Sequence, residues 1–235
     1  MLRAQLDAIE DGVRPASPET VAAMLRQVLS LKKLIDDLYA LARADVGEIA
    51  YQRAPVDLWR LALEQAAAFG DKLAAAGLRF EAGAAPPDAV VIADAQRMRQ
   101  LFASLFENCV RHTAPGGGVS LQARIDGARL CITLDDSAPA VPHVALARLS
   151  ERFYRVEQSR GRDQGGAGLG PALSLRIAEA HGGELAFAQS PQGGLRVRLS
   201  PTAKRSTRST AWATGWTSSA STFSSQSAGS LKSSA

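Results

Sequence analysis

The sequence predicts an α+β chain, in which a helical hairpin precedes an α/β sandwich whose mixed sheet is covered by helices on one face. Three observations carry the prediction. Apolar residues recur at alternating spacings of three and four over the first 46 or so positions. From about residue 50 to 200 short strand-like runs alternate with helix-length amphipathic segments. Several of those strand-like runs form adjacent hairpin pairs, which suits a sheet with one covered face better than a doubly wound parallel sheet.

Leu2, Leu6 and Ile9 mark the end of a first helix, and Asp11, Gly12 and Pro15 break it. Ser17 caps a second helix, with Pro18 at its first position and Glu19 in its first turn. Along it Val21, Met24, Val28, Leu31, Ile35, Leu38 and Ala42 form the seam of a coiled coil or four-helix bundle, and such a seam needs a partner. The plainer alternative is an amphipathic helix packed on its own domain. Further on, residues 49–53 read as a strand, 57–73 as a helix capped by Asp57, 78–81 and 89–93 as strands, and 95–112 as a helix. Residues 119–124 and 129–135 make a hairpin around Asp126-Gly127, and a long loop follows over 137–168. A helix over 169–181 and a hairpin of 184–189 with 195–199 complete the domain.

These shifts in pattern divide the chain into a truncated hairpin at 1–46, a sandwich domain at 50–200 and a Ser/Thr-rich tail at 202–235. The tail holds isolated Trp212, Trp216 and Phe223 without periodicity; it buries too little apolar surface to offset ordering entropy and is expected to be disordered. An apolar fraction of 46% over 235 residues is ample for a core. No apolar run spans a bilayer and no secretory signal opens the chain, so the expectation is a cytoplasmic chain without membrane contact. Cys109 and Cys131 form neither a CxxC pair nor a disulfide framework, and both read as reduced core residues. The net charge of +4 is spread along the chain without a basic stripe and interleaved aromatics, which argues against nucleic acid.

Four short motifs carry the chemistry, and their order is more specific than any one of them. In 105–113 apolar residues pack one helix face and leave Glu107, Asn108, Arg111 and His112 to reach a cleft; an acid beside an amide, one turn from a basic residue, can hold a metal and a triphosphate. Alone, this is equally a solvated helix face. In 134–142 a strand ends on Asp135 and Asp136 and enters a proline-containing loop with Ala140; a strand-end carboxylate can accept a hydrogen bond from an exocyclic amine. Glu151-Arg152-Phe153-Tyr154-Arg155 sets an aromatic pair among arginines inside the long loop, the kind of loop that serves as a lid. Gly165-Gly166-Ala167-Gly168-Leu169-Gly170 precedes a helix; glycines admit close phosphates and a helix N-terminus favours anions.

In this order the four motifs resemble the N, G1, F and G2 boxes of the histidine kinase ATPase domain, in the wider family that also holds gyrase, Hsp90 and MutL. The resemblance covers residues 1 to about 200. The hairpin residues 6–15, the stretch Leu34-Ile35-Asp36-Asp37-Leu38-Tyr39 and Asp136-Ser137-Ala138-Pro139 look like bacterial two-component sensor kinases of the Bae envelope-stress type. It implies a dimerisation and phosphotransfer hairpin followed by a Bergerat-type sandwich that binds ATP with Mg2+, in a protein whose full-length relatives are inner-membrane sensors. It further implies Asn108 as the magnesium ligand, Glu107 as base or polariser for an acceptor imidazole, and Asp136 as acceptor of the adenine amine. Arg111 and His112 fall where the family contacts phosphate or ribose, Ala140 lies beside the adenine, Phe153 anchors the lid, and Gly166, Gly168, Leu169 and Gly170 frame the triphosphate. Gly193 and Gly194 stand at a further glycine box, which a plain hairpin turn explains as well. The implied partners are a response regulator and either an intact kinase subunit or a second copy, joined through the hairpin.

The sequence departs from the family at several points. The family's phosphoacceptor box has no counterpart here, and His112, His143 and His181 all lie outside the first hairpin helix. The expectation is a chain that retains the donor half of the reaction without its acceptor. His181 reads as a C-terminal helix residue favoured by the helix dipole. Ser104 replaces a common asparagine, Ala140 the usual glycine and Pro171 the usual leucine; Ala140 would crowd the adenine if its backbone needed a positive φ. Two other functions stay open at this level, a non-catalytic interaction module acting through the hairpin and a different ATPase of the same superfamily.

Overall fold

Apolar stripes decide the architecture, and the structure, a computed structural model, describes residues 2–13, 15–45, 50–126, 129–156 and 167–201. The expected disorder of 202–235, the hairpin turn at Gly127 and the glycines at 165–166 lie outside the described residues. Helix α1 (Leu2–Glu10) ends where Gly12 takes a positive φ of 69°, and α2 (Pro18–Asp45) starts at Ser17, whose Oγ accepts from the Thr20 amide at 3.3 Å. Val21, Val28, Leu31, Ile35 and Leu38 of the expected seam are all exposed. A different face of α2, marked by Leu34 and the fully buried Leu41, packs on the domain against the last helix. The helix therefore has two apolar faces, and the bundle pattern masked the second.

Strand β1 (Ala54–Asp57) pairs antiparallel with β3 (Val90–Ala93) in a two-stranded ribbon. Residues 50–53, expected as strand, are instead irregular: the Gln52 amide donates to Asp94 Oδ2 at 3.0 Å and the Tyr51 ring meets His181 edge-on at 5.0 Å. Pro55 lacks an N–H, and a two-stranded ribbon tolerates that. The expected single helix over 57–73 is two, α3 (Leu58–Ala68) and α4 (Gly70–Ala75). Asp57 caps the first as foreseen, through Oδ1 to the Arg60 amide at 3.0 Å. The second sets off after Phe69, whose buried ring lies 5.9 Å from that of Phe106.

Strands β2 (Arg79–Ala82), β4 (Gly118–Asp126), β5 (Arg129–Ser137), β6 (Glu184–Gln189) and β7 (Gly193–Ser200) form one sheet in the order β2-β4-β5-β7-β6. β2 runs parallel to β4 and the other pairs are antiparallel, so the sheet is mixed, as expected. Helices α5 (Ala95–His112) and α7 (Gly170–Ala180) pack together, and α3 packs on α5. Met98, Leu101, Phe102, Leu105, Phe106 and Cys109 form the buried stripe of α5, and Leu173, Ile177 and Ala178 that of α7. They meet Leu121, Ile132, Leu134, Leu185, Val197 and Leu199 from the sheet in one core. Within the long loop expected over 137–168, the short helix α6 (His143–Leu146) is present.

Two buried polar residues lock the start of α5. Asp94 Oδ1 accepts from the Gln96 and Arg97 amides at 3.0 and 3.1 Å. His181, buried at the end of α7, accepts the Asp94 amide on Nε2 at 3.0 Å and donates Nδ1–H to the Ile177 carbonyl at 2.7 Å. Burial lowers the His181 pKa, so the ring is a neutral core tie and not the dipole-stabilised cation the sequence suggested. Burial pushes Asp94 upward, but the Arg97, Gln52 and Gln96 amides outweigh it and hold the carboxyl below its ordinary value. Its contribution is thus present above the unfolded pKa of about 4 and is lost as pH falls through the lower native value. Asp94→Ala is expected to lower stability by about 1–2 kcal/mol at pH 7. Thermal melts at pH 7 and pH 3 test this, with the deficit shrinking at the lower pH; an unchanged midpoint at pH 7 would refute it.

Candidate functional site

A cleft of about 280 Å³ opens where the C-terminal half of α5, the end of β5, the loop after it and the start of α7 converge. The amphipathic pattern of α5 places its residues there: with Leu105, Phe106 and Cys109 turned into the core, Glu107, Asn108, Arg111 and His112 line the opening. Asp136, Ala140, Gly168, Leu169 and Gly170 line it too. Nine of the eleven residues singled out from the sequence therefore meet in one place. Gly166 lies outside the described residues. Phe153 is 61% exposed and absent from the lining, and its contribution is made by backbone.

That backbone contact is specific. Phe153 has a positive φ of 63°, and its amide donates to the Gly168 carbonyl at 3.1 Å. Gly168 itself has φ 71°, and a Cβ on it would lie 2.6 Å from the Tyr154 carbonyl oxygen and 2.9 Å from the Phe153 carbonyl carbon. Tyr154, not Phe153, turns into the cleft, with the Arg148 guanidinium 4.3 Å above its ring centre. A second close approach fixes the start of α7, where a Cβ on Gly170 would come within 2.7 Å of Ser104 Oγ. The amides of this helix start have no side-chain cap and border the cleft, and Pro171 at the first turn lacks only a donor that needs no helical partner.

Asp136 is a carboxylate placed with unusual care, 5% exposed at the end of β5. Its Oδ1 accepts the Leu195 amide at 2.7 Å. A Cβ on Gly194 would collide with the same carboxylate, so the glycine is required by the carboxylate's approach as well as by the turn. Burial pushes its pKa up to about 6; the Leu195 amide and the Cys109 thiol oppose the rise, and neighbouring Asp135 adds to it. Burial also pushes the Cys109 thiol well up, so it stays a neutral donor beneath the carboxylate. Asp135 points to the other face of the sheet, where Arg196, its direct cross-strand partner, binds it bidentately at 2.8 and 2.9 Å. Adjacent acids thus have opposite environments, Asp135 neutralised and Asp136 left for the cleft.

Glu107 faces three cations. Arg111 donates to Oε1 through Nε and Nη2 at 3.1 and 3.0 Å, and Lys72 Nζ lies 3.6 Å from Oε2. Burial would raise the Glu107 pKa, but Arg111, Lys72 and Lys33 together bring it below the ordinary value, so the group is ionised at neutral pH. The condition for crowding at Ala140 is not met: among the described non-glycine residues only Phe153 has a positive φ. Sequence reasoning missed Tyr154 as a lining residue, and it also missed Ser30, Lys33, Leu34 and Asp37 of α2. Lys33 and Asp37 stand four apart on one helix, a spacing common to surface pairs that carries no local signal of a cleft.

The arrangement offers a buried acceptor at one wall, a glycine-lined helix start suited to phosphate, and an amide oxygen beside an ionised acid. Among the described residues no group of three or more His, Cys, Asp or Glu could hold a metal. Asn108 offers one side-chain oxygen to the cleft, next to the ionised Glu107.

Residues 93–205 match the family described as histidine kinase-, DNA gyrase B- and HSP90-like ATPase. The chain is 44% identical over 199 residues to the signal transduction histidine-protein kinase BaeS of Escherichia coli, across 85% of this chain and 42% of that protein. It is 34% identical over 179 residues to the probable sensor histidine kinase TcrY of Mycobacterium tuberculosis, covering 74% of this chain and 37% of the other. The chain thus spans less than half the length of these relatives. Among solved structures it is similar to the Acinetobacter baumannii histidine kinase AdeS, with a TM-score of 0.73 at 20% identity over 87% of this chain and 94% of that one. It is also similar to full-length ShkA in complex with AMPPNP, with a TM-score of 0.68 at 27% identity over 82% of this chain and 41% of that one.

A buried acid with a raised pKa costs stability once it ionises. Between about pH 4 and pH 6 the unfolded chain has lost the Asp136 proton while the native chain keeps it, so stability falls as pH rises through that window. Asp136→Asn is expected to stabilise the protein at pH 7, by at most about 3 kcal/mol. Urea denaturation at pH 7 checks the sign, and a destabilised variant would count against the environment described.

Proposed function

We propose how the cleft serves the reaction, from the premise that the chain carries the ATP-binding catalytic part of a sensor histidine kinase, residues 93–205 of which match the ATPase family. Adenine is selected by Asp136, whose buried carboxylate accepts the exocyclic amine. The triphosphate lies against the start of α7, where Gly168, Leu169 and Gly170 leave room for it and backbone amides face it. Asn108 supplies the side-chain oxygen for Mg2+, and Arg111 and His112 border the phosphate and ribose. Gly166 belongs to the same glycine loop.

The γ-phosphoryl group passes to a histidine imidazole presented to the cleft and from there to an aspartate of a response regulator. The protein's part is positioning and charge stabilisation, because the transferred group has little covalent chemistry to share with it. Glu107 accepts a hydrogen bond from the imidazole and orients it. An acid held below its ordinary pKa is a weak proton acceptor, so we assign it polarisation and orientation ahead of outright proton removal. Phe153, through its backbone bond to Gly168, ties the lid to the phosphate end. The observation that carries this reading is Asp136: a buried carboxylate with an elevated pKa, framed by Gly194 and Leu195, has its natural partner in a ligand amine. The similar ShkA structure is a complex with AMPPNP, an ATP analogue, which supports the assignment.

The hairpin has a second role in this reading. Val21, Val28, Leu31, Ile35 and Leu38 form an exposed apolar row on α2. We take residues 1–46 as the dimerisation hairpin, with a second copy or an intact kinase subunit as partner. No helix among the described residues is long and apolar enough to cross a membrane, and neither membrane nor nucleic acid enters the proposal.

Titration with a fluorescent ATP analogue and Mg2+ tests the site. Saturable binding that ATP displaces is expected, weakened at least about tenfold by Asp136→Asn and by Asn108→Ala. Absence of binding at millimolar nucleotide by the folded protein would reject the catalytic reading and leave the interaction module. Since the amine needs an ionised acceptor, affinity should level off well above pH 6 and fall as pH drops through it and the free carboxyl takes up its proton. In Asp136→Asn this limb should be missing from the binding profile. Transfer is checked by supplying a separate hairpin that bears an acceptor histidine: labelled phosphate should appear on it, and Glu107→Gln should slow its appearance while nucleotide binding persists.

A further inference from the structure

One wall of the cleft comes from outside the ATPase domain. Packing of α2 along α7 brings Ser30, Lys33, Leu34 and Asp37 into the same lining as Asn108 and the start of α7. Leu34 and Leu41 anchor this contact to the core, so the position of Lys33 is set by apolar packing and not by its own charge. Lys33 Nζ lies 3.4 Å from Asp37 Oδ2, and its charge reaches Glu107 on the neighbouring α5. Lys33 thus lines the same cleft as Glu107, Asn108 and the helix start that suits phosphate.

We propose that Lys33 is a phosphate-binding residue of the nucleotide cleft, contributed by the hairpin, so that one nucleotide is held jointly by hairpin and ATPase domain. The inference rests on the reading of the cleft as a nucleotide site. Lysine suits the task because a compact charge on a flexible stem can follow phosphate oxygens whose place is fixed by other groups. The resting pair with Asp37 is long, at 3.4 Å, and its lysine side is 53% exposed while the Asp37 side chain is only 13% exposed, so the ammonium is the half free to turn toward a polyanion. Without Lys33, Asp37 would present an uncompensated carboxylate to the phosphates. Coupling runs both ways by linkage: nucleotide that engages Lys33 strengthens the packing of α2 on the domain, and a change that lifts α2 away weakens nucleotide binding.

The test is calorimetric titration of the full chain with MgATP and, separately, with adenosine, for the wild type, Lys33→Ala and Lys33→Arg. Lys33→Ala should weaken ATP about tenfold and leave adenosine unchanged, and Lys33→Arg should restore ATP affinity. Equal ATP affinity in Lys33→Ala and wild type would overturn the proposal. So would parallel losses for ATP and adenosine, which would mark a structural role. A wild-type chain that binds neither ligand would sink the nucleotide reading itself and this inference with it, whereas wild-type binding that Asp136→Asn abolishes and Lys33→Ala spares would remove this inference alone.

Discussion

Everything at the cleft depends on the burial of one face of α5. Met98, Leu101, Phe102, Leu105, Phe106 and Cys109 lie at helical spacing and reach the core between α3, α7 and the sheet. Once that stripe is buried, Glu107, Asn108, Arg111 and His112 have only one direction to face. Rotation about the helix axis would move apolar area into water at roughly 25 cal/mol per Å², so the packing fixes the chemistry's orientation as firmly as any hydrogen bond. Asp94 and His181 fix the remaining freedom by holding the helix start to the preceding strand and to the end of α7.

A site built this way carries strain in an identifiable place. Asp136 is buried with one backbone amide and a thiol as its protein partners, beside a second acid whose charge Arg196 neutralises. Once ionised, that carboxylate costs stability. The same burial explains both the elevated pKa and the stability lost when the group ionises. Gly168, Gly170 and Gly194 belong to this design because in each case a Cβ would meet a close neighbour: the Phe153 and Tyr154 backbone, Ser104 and the Asp136 carboxylate respectively.

Much of this was legible in the sequence because it is local. The helix over 95–112 and the strand over 184–189 came out with the observed bounds, and Asp57 and Ser17 announced their caps through residue type and spacing. Where the fold departs from the local pattern, a distant partner decided. Residues 50–53 have strand-like composition, but Asp94 and His181 draw them out of the ladder. The stretch over 57–73 has helical periodicity throughout, but packing of Phe69 near Phe106 divides it. Tyr154 and Phe153 are adjacent aromatics in one motif, and only the fold says which faces the cleft.

The sequence by itself determined the fold class, the family resemblance and nine of the described lining residues, because the motifs that carry them are short and each element's apolar period sets which side is exposed. Tertiary structure alone decided three matters. It made His181 a neutral buried tie, since ring protonation depends on what surrounds the ring and not on its place at a helix end. It gave Asp135 and Asp136 opposite fates by placing Arg196 across the sheet from one of them. It also turned a second face of α2 toward the domain, where Leu34 and Leu41 bury themselves and bring Lys33 and Asp37 to the cleft. A heptad pattern records which residues are apolar, but the partner that each face meets is set by surfaces far away in the chain.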